Sequence, residues 1–226
     1  MIDTSYSHVA YAHASDELAR LEHKKTAYRI AKRAMDLLIA GVALIVLSPV
    51  MLLVALAVKL DSKGPVFYTH KRVGKNGKEL KLYKFRSMFI NAKEMMENFT
   101  PEQKAEFAEN FKLRQDPRIT RVGKFIRRTS LDELPQLVNI LKGELSIVGP
   151  RPVVEKELEK YGEFRDQFLS VTPGLTGYWQ AYSRSDCTYE ERISMELHYV
   201  RTANFLWDIK IIIATFRAVI KGHGAR

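Results

Sequence analysis

Cysteine is almost absent from this sequence, because Cys187 is the only one among 226 residues. A single cysteine excludes an internal disulfide and any zinc cluster built on several thiolates, and it is consistent with a reducing compartment. The six histidines are scattered, without the HExxH spacing or a similar arrangement of metal ligands. Internal repeats and low-complexity linkers are also absent. Disulfide-rich scaffolds, zinc-cluster domains and repeat architectures are therefore excluded.

Acidic residues are too few to balance the basic ones. The chain has 36 Lys and Arg against 26 Asp and Glu, which gives a formal net charge of +10 at pH 7. Such an excess predicts an anionic partner, such as nucleic acid, acidic lipid headgroups or a phosphorylated substrate. Hydrophobic residues make up 46% of the chain. This share is enough for one globular core and argues against wholesale disorder.

Charges are absent from one long apolar segment, Leu37–Val58, with the sequence LLIAGVALIVLSPVMLLVALAV. The segment begins too late and is too long for a cleavable signal peptide, and no A-x-A cleavage site follows it. As one straight helix it would reach about 33 Å, which is enough to cross the hydrocarbon core of a bilayer. Asp36 opens the segment and Arg33 lies on the same helical face, so we expect these two residues to pair at the membrane boundary.

Two features of the apolar segment argue against a simple crossing. Ser48-Pro49 lies at its middle, where the missing proline N–H and the clash of the ring should kink or break the helix. Both flanks are basic, whereas a crossing should leave one flank depleted in Lys and Arg. The flanking basic residues are Lys24, Lys25, Arg29, Lys32 and Arg33 before the segment, and Lys59, Lys63, Lys71, Arg72 and Lys75 after it. A re-entrant helix and a kinked spanning helix both fit these residues.

The region after the apolar segment, residues 64–88, predicts a small β-hairpin with many basic residues. Asn76-Gly77 is the strongest short signal for a hairpin turn. In the second strand Leu80, Leu82 and Lys84 alternate toward one side.

Two further stretches are amphipathic at helical spacing. Residues 90–113 are interrupted at Thr100-Pro101, and residues 205–222, FLWDIKIIIATFRAVIKG, are apolar on a broad face. Such faces pack into a core or lie on a membrane interface, and the second stretch carries too many charges to span a bilayer. The predicted fold class is α+β and mostly helical, with a small β-hairpin, an N-terminal membrane helix and interfacial amphipathic helices.

The stretch RRTSLDELPQ, Arg127–Gln136, places two adjacent carboxylates just before a proline. One interpretation is structural, since Ser130 and Glu133 have the spacing of a capping box and the leucines that follow recur at helical spacing up to Gly143. The other interpretation is a catalytic pair formed by Asp132 and Glu133. Alone, the stretch favours the structural interpretation, because most matches to short motifs are not functional.

Together these stretches resemble the bacterial sugar transferases that act on polyprenyl phosphate, the monotopic phosphoglycosyl transferases. The resemblance covers roughly residues 28–221. It rests on KRAMD, the SP inside the apolar segment, GPVFY, YKFRSM, DPRITRVGKFIRRTSLDELPQLVNILKGELSIVGPRP and PGLTGYWQ. It implies an enzyme that transfers a sugar 1-phosphate from a UDP-sugar to polyprenyl (undecaprenyl) phosphate and releases UMP, with Mg²⁺ required. This is the first membrane step of bacterial glycoconjugate synthesis, in pathways such as capsule or exopolysaccharide.

The same resemblance assigns roles to residues. Asp132 corresponds to the family's nucleophile, which forms a covalent phosphosugar intermediate, and Glu133 corresponds to the glutamate that helps to hold the metal. A helix N-terminus would favour the ionised carboxylate, and adjacent helical residues point about 100° apart, so one can attack while the other binds metal. The membrane helix of the family is re-entrant and broken at the position of Ser48-Pro49. It sits on the cytoplasmic face of the plasma membrane, with Arg33 and Asp36 as expected anchors.

Basic residues are the candidates for phosphate contacts, because arginine forks match phosphate oxygens. The candidates are Lys84, Arg86, Arg118, Arg128 and Arg151. Arg184 is a further candidate for substrate binding, but many relatives have Gly-Arg where Ser183 precedes Arg184 here. The arginine-rich run 114–128 would also suit nucleic acid, although few aromatic residues interleave with it.

The expected organisation is a polar N-terminal tail at residues 1–25, a re-entrant membrane helix at 26–60 and a cytoplasmic catalytic domain at 61–226. The expected partners are a UDP-sugar, polyprenyl phosphate and membrane lipids, without nucleic acid, and a homo-oligomer is compatible with the sequence. One rival is a membrane-anchored basic scaffold or nucleic-acid-binding protein, in which charge-preserving changes at Asp132 would be harmless. Another is a metal-dependent phosphohydrolase that needs no lipid acceptor. The sequence does not specify which sugar is transferred.

Overall fold

The computed structural model describes residues 4–110, 113, 115–183 and 187–220, with side chains for residues 25–107, 113, 115–183 and 187–218. The α-helices are α1 (Thr4–Asp61), α2 (Ala92–Glu97), α3 (Pro101–Asn110), α4 (Arg121–Arg128), α5 (Gln136–Lys142), α6 (Glu155–Leu158), α7 (Arg165–Leu169), α8 (Tyr178–Tyr182), α9 (Tyr189–Thr202) and α10 (Phe205–Ile220). The strands are β1 (Phe67–Val73), β2 (Glu79–Phe85), β3 (Ser146–Val148) and β4 (Gly174–Thr176). The prediction of a mostly helical chain with a small hairpin and a long apolar N-terminal helix is confirmed.

The apolar segment lies in the C-terminal half of α1, which is helical from Thr4 to Asp61. Pro49 lies inside this helix and cannot donate to the carbonyl four residues earlier, that of Ile45. The Ser48 hydroxyl donates to the Ile45 carbonyl instead, at 2.7 Å. The Ile45 carbonyl is thus satisfied locally, the residues on both sides of Pro49 are helical, and the predicted break at Ser48-Pro49 is not confirmed.

Before the apolar segment, α1 is attached to α5 and β3. The Arg33 guanidinium donates to the carbonyls of Ile140 and Leu141 at the end of α5, at 2.6 and 2.9 Å. The buried Asp36 carboxylate accepts from the Ser146 hydroxyl at 2.8 Å and from the next backbone N–H at 2.9 Å. Arg33 and Asp36 thus have separate partners and do not form the predicted pair with each other, although both attach α1 to the rest of the chain.

At the C-terminal end of the apolar segment, α1 packs on α4 and β2. Val54 and Val58 form a buried cluster with Phe85 of β2 and Ile126 of α4. The Asp61 carboxylate accepts from a backbone N–H in the first turn of α4 at 3.0 Å. This is a favourable position for negative charge, because the N-terminal end of a helix carries partial positive charge.

The hairpin is antiparallel, with its register running from Phe67 opposite Phe85 to Val73 opposite Glu79. The turn places Asn76 and Gly77 at φ values of 56° and 75°, the left-handed conformation that Asn-Gly tolerates. The Asn-Gly hairpin is therefore confirmed.

The inner face of the hairpin packs on α5. Leu80 and Leu82 are buried there in the largest hydrophobic cluster. Asn139 of α5 donates to the Lys81 carbonyl at 2.8 Å and accepts from the Tyr83 N–H at 3.0 Å. Because α5 packs on β2, these elements form one packed unit, called the body below. Both flanks of the apolar segment contact this body.

A second sheet consists of β3 and β4, which pair in parallel. The sequence indicates only two Gly/Pro-rich loops here, because each strand is three residues long and lies between such loops. All three β3 residues are buried, so the strand lacks the alternation that identifies a half-exposed strand.

The amphipathic stretches are helical as predicted. The interruption falls just before Pro101, because α2 ends at Glu97 and α3 begins at Pro101. In α10 Ile211 is fully buried, whereas Leu206, Ile213 and Phe216 are exposed. Contact of this exposed face with a membrane interface stays a prediction.

Candidate active site

Asp132 and Glu133 lie in a single 3-10 turn, Leu131–Glu133, between α4 and α5. In this described part of the chain, Ser130 has a left-handed backbone with φ 58°, and its side chain makes no capping hydrogen bond. A capping residue normally has an extended backbone and accepts a backbone N–H. The capping-box interpretation of this stretch is therefore wrong, although Gly143 does end α5 in the left-handed conformation.

The Glu133 carboxylate is paired with Lys84, which β2 places on the inner face of the hairpin. Lys84 Nζ donates to Glu133 Oε1 at 2.6 Å. Burial by itself would raise the pKa of Glu133, but the Lys84 ammonium together with Arg151 and Arg72 outweighs it and holds that pKa below its usual value. Glu133 is therefore a carboxylate at neutral pH.

Asp132 is buried, with 8% of its surface exposed. Burial raises the pKa of Asp132 to about 6; Lys84 opposes this rise, the neighbouring Glu133 carboxylate adds to it and Arg127 opposes it. The expected helix N-terminus is absent here, because the two carboxylates occupy a 3-10 turn. Asp132 nevertheless remains mostly ionised at pH 7, and its raised pKa makes the carboxylate more basic than an exposed one.

Two residues of β1, His70 and Arg72, join Lys84 and Arg151 around the dyad, and this group of side chains is called the pocket below. Neither His70 nor Arg72 was predicted from the sequence as a site residue. The register pairs Tyr68 with Lys84, so His70 and Arg72 share the face of the hairpin that carries Lys84. Burial first, and then the cations Arg72, Lys84 and Arg151, lower the pKa of His70 to about 4. The imidazole is therefore neutral at pH 7. Because side chains alternate along a strand, counting back from the Asn-Gly turn in steps of two would have placed Arg72 and His70 on the face that carries Lys84.

Arg151 approaches the pocket from the loop after β3. Its guanidinium lies over the Trp179 ring, 5.8 Å from the centroid, and its backbone N–H donates to Glu196 Oε1 at 3.1 Å. Glu196 is only 1% exposed and also accepts from the Tyr161 hydroxyl. Arg151, in the loop after β3, thus packs on Trp179 in the first turn of α8 and also acts on the Glu133 carboxylate.

Two of the other predicted phosphate contacts, Arg86 and Arg118, are hydrogen-bonded to groups of the protein. Arg86 donates to three backbone carbonyls just after α1, at 2.6, 2.8 and 2.8 Å. Arg118 makes two hydrogen bonds with the Asp116 carboxylate, at 2.8 and 2.6 Å. These contacts give both arginines structural roles. Arg128 is exposed on α4, and Arg184 lies outside the described residues.

The donor set of the dyad fits one kind of metal. Within the described residues, no group of three or more His, Cys, Asp or Glu side chains could hold a metal ion. A closed protein site of the zinc type therefore has no candidate there. Mg²⁺ commonly binds through one or two carboxylates together with substrate phosphates and waters. Asp132 and Glu133 can supply those carboxylates.

A family model and several known proteins match most of this chain. The family model for bacterial sugar transferases matches residues 27–222. The exopolysaccharide production protein ExoY of Sinorhizobium fredii is 46% identical over 199 residues, which cover 87% of this chain and 88% of that protein. The UDP-galactose-lipid carrier transferase of Erwinia amylovora is 45% identical over 204 residues, 89% of this chain and 43% of that protein. The undecaprenyl-phosphate galactose phosphotransferase of Salmonella typhimurium is 44% identical over 204 residues, with the same coverage of 89% and 43%. The chain thus spans less than half of the length of the last two relatives.

Proposed function

Because the chain belongs to the bacterial sugar transferase family, we propose that it transfers a sugar 1-phosphate from a UDP-sugar to polyprenyl phosphate and releases UMP. The names of two relatives support the substrates, one a UDP-galactose-lipid carrier transferase and the other an undecaprenyl-phosphate galactose phosphotransferase. The observation that carries the proposal is the buried Asp132 beside the Glu133–Lys84 pair, in a pocket that Arg72 and Arg151 make positive.

Asp132 acts as the nucleophile in two displacements at one phosphorus atom. A carboxylate oxygen of Asp132 attacks the phosphorus that bears the sugar, and the bond from that phosphorus to the bridging oxygen breaks. UMP leaves with the electron pair, and the sugar phosphate remains on Asp132 as an acyl phosphate. A phosphate oxygen of the polyprenyl phosphate then attacks the same phosphorus, and the Asp132 carboxylate leaves.

The surrounding cations reduce the repulsion between an anionic nucleophile and an anionic diphosphate. Lys84 is the nearest described cation to the dyad, and Arg72 and Arg151 act on the same carboxylates. Positioned positive charge in a partly buried site stabilises phosphoryl transfer more than it would in water. Because the pKa of Asp132 is about 6, roughly nine in ten of the carboxylates are ionised at pH 7.

Mg²⁺ is the proposed cofactor, with Glu133 as its main protein ligand and Asp132 close by. When bound, the ion would neutralise phosphate oxygens of the UDP-sugar. Glu133 meets the requirement for a ligand because its lowered pKa keeps it ionised.

The membrane topology proposed here is re-entrant, with the catalytic body on the cytoplasmic face. The helix Lys25–Asp61 is apolar and long enough to cross a bilayer, and only 11% of its most apolar window is buried. However, Arg33 and Asp36 at one end and Asp61 at the other contact the same body. A crossing helix would put these ends on opposite sides of the membrane. The basic flanks favour the cytoplasmic side for both ends.

The reaction is tested with detergent-purified protein, Mg²⁺ and a panel of UDP-sugars that includes UDP-galactose, with and without undecaprenyl phosphate. We expect lipid-dependent UMP release and, without lipid, a burst of at most one UMP per protein together with a sugar phosphate on Asp132. Asp132→Asn should lose both, whereas Asp166→Asn, at an exposed carboxylate, should keep both.

Three other results would contradict the proposal in different ways. Undiminished turnover in Asp132→Asn would exclude this residue as the nucleophile. Continuous release of sugar phosphate without lipid would indicate a phosphohydrolase. A lack of UMP from every donor would favour a non-catalytic scaffold.

A further inference from the structure

The loop that carries Arg151 is fastened to the rest of the protein on both sides of this residue. Before it, the Gly149 N–H donates to the Thr176 carbonyl of β4 at 2.9 Å. After it, the Val153 carbonyl accepts from the Val73 N–H at the end of β1 at 2.8 Å. The two ends of the loop are therefore held between the second sheet and the hairpin.

Arg151 supplies the only backbone donor in the middle of this loop. It lies between Pro150 and Pro152, which have no N–H. Its own N–H donates to Oε1 of Glu196 in α9, at 3.1 Å. Glu196 is buried, and its other carboxylate oxygen accepts from the Tyr161 hydroxyl. A buried carboxylate therefore holds the middle of the loop.

The Arg151 guanidinium, in contrast, is left with donors to offer. It lies over the Trp179 ring and acts on the Glu133 carboxylate of the dyad. Among the residues whose side chains are described, none forms a hydrogen bond or an ion pair with this guanidinium. Because arginine forks match phosphate oxygens, its donors suit an anionic ligand beside the dyad.

We propose that Glu196 is a positioning residue for the donor: by holding the Arg151 N–H, it sets where the guanidinium meets the diphosphate of the UDP-sugar. The inference deepens the proposed function and rests on it. Glu196 is buried and acts through Arg151 rather than by touching the donor. A fork must lie within hydrogen-bond distance of its phosphate oxygens, so a small shift of the loop weakens binding.

A purely structural role for Glu196 makes a different prediction. Its carboxylate also lies 3.6 Å from Nε of Arg192. The Arg192 guanidinium lies over the rings of Trp179 and Tyr189, at 4.5 and 5.0 Å from their centroids. If Glu196 only completed this buried cluster, its replacement would lower stability, and donor binding would follow stability alone. The experiment must therefore separate donor affinity from stability.

Glu196→Asp keeps the charge beside Arg192 but withdraws the carboxylate by one methylene. The Tyr161 side chain can follow this shift more easily than a loop that is fixed at both ends, so the bond to the Arg151 N–H should be lost. We expect the donor KM to rise by about tenfold, which corresponds to about 1.4 kcal/mol, while kcat at saturating donor changes much less. Glu196→Gln keeps an acceptor oxygen for the same N–H and should keep the donor KM within about threefold of wild type.

Tyr161→Phe is the matched control, because it removes the partner of the other oxygen of the same carboxylate. It should lower stability, as measured by thermal unfolding, and leave the donor KM within about twofold of wild type. A double-mutant cycle with Arg151→Gln then identifies the route. In that background Glu196→Asp should change the donor KM by less than about twofold, because the group that it positions is gone.

Equilibrium dialysis of radiolabelled UDP with Mg²⁺ gives the same comparison without turnover. We expect the Kd of Glu196→Asp to rise by about tenfold over wild type and that of Tyr161→Phe to stay unchanged. Equal Kd values in wild type and Glu196→Asp, or a rise that persists in the Arg151→Gln background, would overturn the positioning role. The proposed function would still stand if wild type gave its UMP burst. Conversely, wild type that binds UDP without a UMP burst would contradict the proposed reaction, and the Kd values would still decide the role of Glu196.

Discussion

The Nζ atom of Lys84 lies 2.6 Å from Oε1 of Glu133, and this pair joins the hairpin to the turn that carries the dyad. The same ammonium also lowers the pKa of the neighbouring Asp132 against the effect of burial. A single cation thus favours the ionised form of both carboxylates. It also opposes the repulsion that two adjacent negative charges would otherwise produce.

Removal of this cation should slow the first displacement. Lys84→Gln is expected to lower the rate of the lipid-free UMP burst by about 10²-fold, the usual cost of one positioned charge or donor in a transition state. The matched control is Lys81→Gln, because Lys81 is exposed on the other face of the same strand. Stopped-flow or quenched-flow UMP measurements at saturating donor give the rate. A burst rate in Lys84→Gln within twofold of Lys81→Gln would exclude this role.

The burst should also depend on pH in a manner set by Asp132. The reactive form is the carboxylate, so the rate should fall as pH decreases through about 6, the pKa of Asp132 in the folded protein. Lys84→Gln should move this midpoint upward, because Lys84 lowers the pKa. A pH-independent burst between about pH 5 and about pH 8 would argue against a titrating nucleophile with this pKa.

Burial of Asp132 should cost stability, and neutralising the side chain should recover it. The pKa is about 6 in the folded protein against an ordinary value of 3.8, so ionisation is disfavoured by about 3 kcal/mol in the folded state. This penalty is absent below pH 3.8, grows as the pH rises to about 6 and is complete above that value. Asp132→Asn should therefore raise the free energy of unfolding at about pH 8 by up to about 3 kcal/mol and change it little near about pH 4.

Unfolding of the detergent-solubilised protein without Mg²⁺ or substrates gives this difference. Asp166→Asn serves as the control, because Asp166 is exposed. Equal stabilities of wild type and Asp132→Asn under the alkaline condition would mean that the carboxylate is hydrated rather than buried.

The topology predicts that both flanks of the apolar segment face the cytoplasm. Lys25 and Lys63 are exposed on either side of it and can be replaced individually by cysteine in a Cys187→Ser background. In spheroplasts, an impermeant maleimide should label neither position until the membrane is permeabilised. Labelling of only one of the two in intact spheroplasts would show that the segment crosses the membrane.

Local signals predicted the hairpin and the end of α5 correctly, because both depend on residues that tolerate left-handed backbone. Asn76, Gly77 and Gly143 each occupy that conformation. The family resemblance predicts the Asp132-Glu133 pair. It does not predict the 3-10 turn that carries the pair. Ser130 adopts a left-handed backbone that its sequence neighbours do not signal, and this removes the capping box.

The partners of the arginines could not be read from the sequence, because they depend on contacts between distant parts of the chain. Arg86 follows a basic strand and resembles a phosphate ligand, yet the carbonyls exposed after α1 take its donors. His70 and Arg72 reach the pocket only through the register of the hairpin. Burial and register, rather than residue type, decide which cations meet the dyad.

The hydroxyl of Ser48 should matter only because Pro49 follows it. Its bond to the Ile45 carbonyl, 2.7 Å long, replaces the N–H that Pro49 lacks. Ser48→Ala should therefore lower the free energy of unfolding by about 1 kcal/mol, since an unsatisfied carbonyl in an apolar environment is costly. Pro49→Ala restores the backbone donor, so Ser48→Ala in that background should cost almost nothing.

Thermal or denaturant unfolding of wild type, the two single variants and the double variant in detergent closes this double-mutant cycle. The expected coupling energy is about 1 kcal/mol. Ser170→Ala is the matched control, because the Ser170 hydroxyl donates to the Gln167 carbonyl at 2.7 Å in a helix end without a proline. Its effect should be the same in the wild-type background and in the Pro49→Ala background. A Ser48→Ala effect that is equal in both backgrounds would show that the hydroxyl does not substitute for the missing donor.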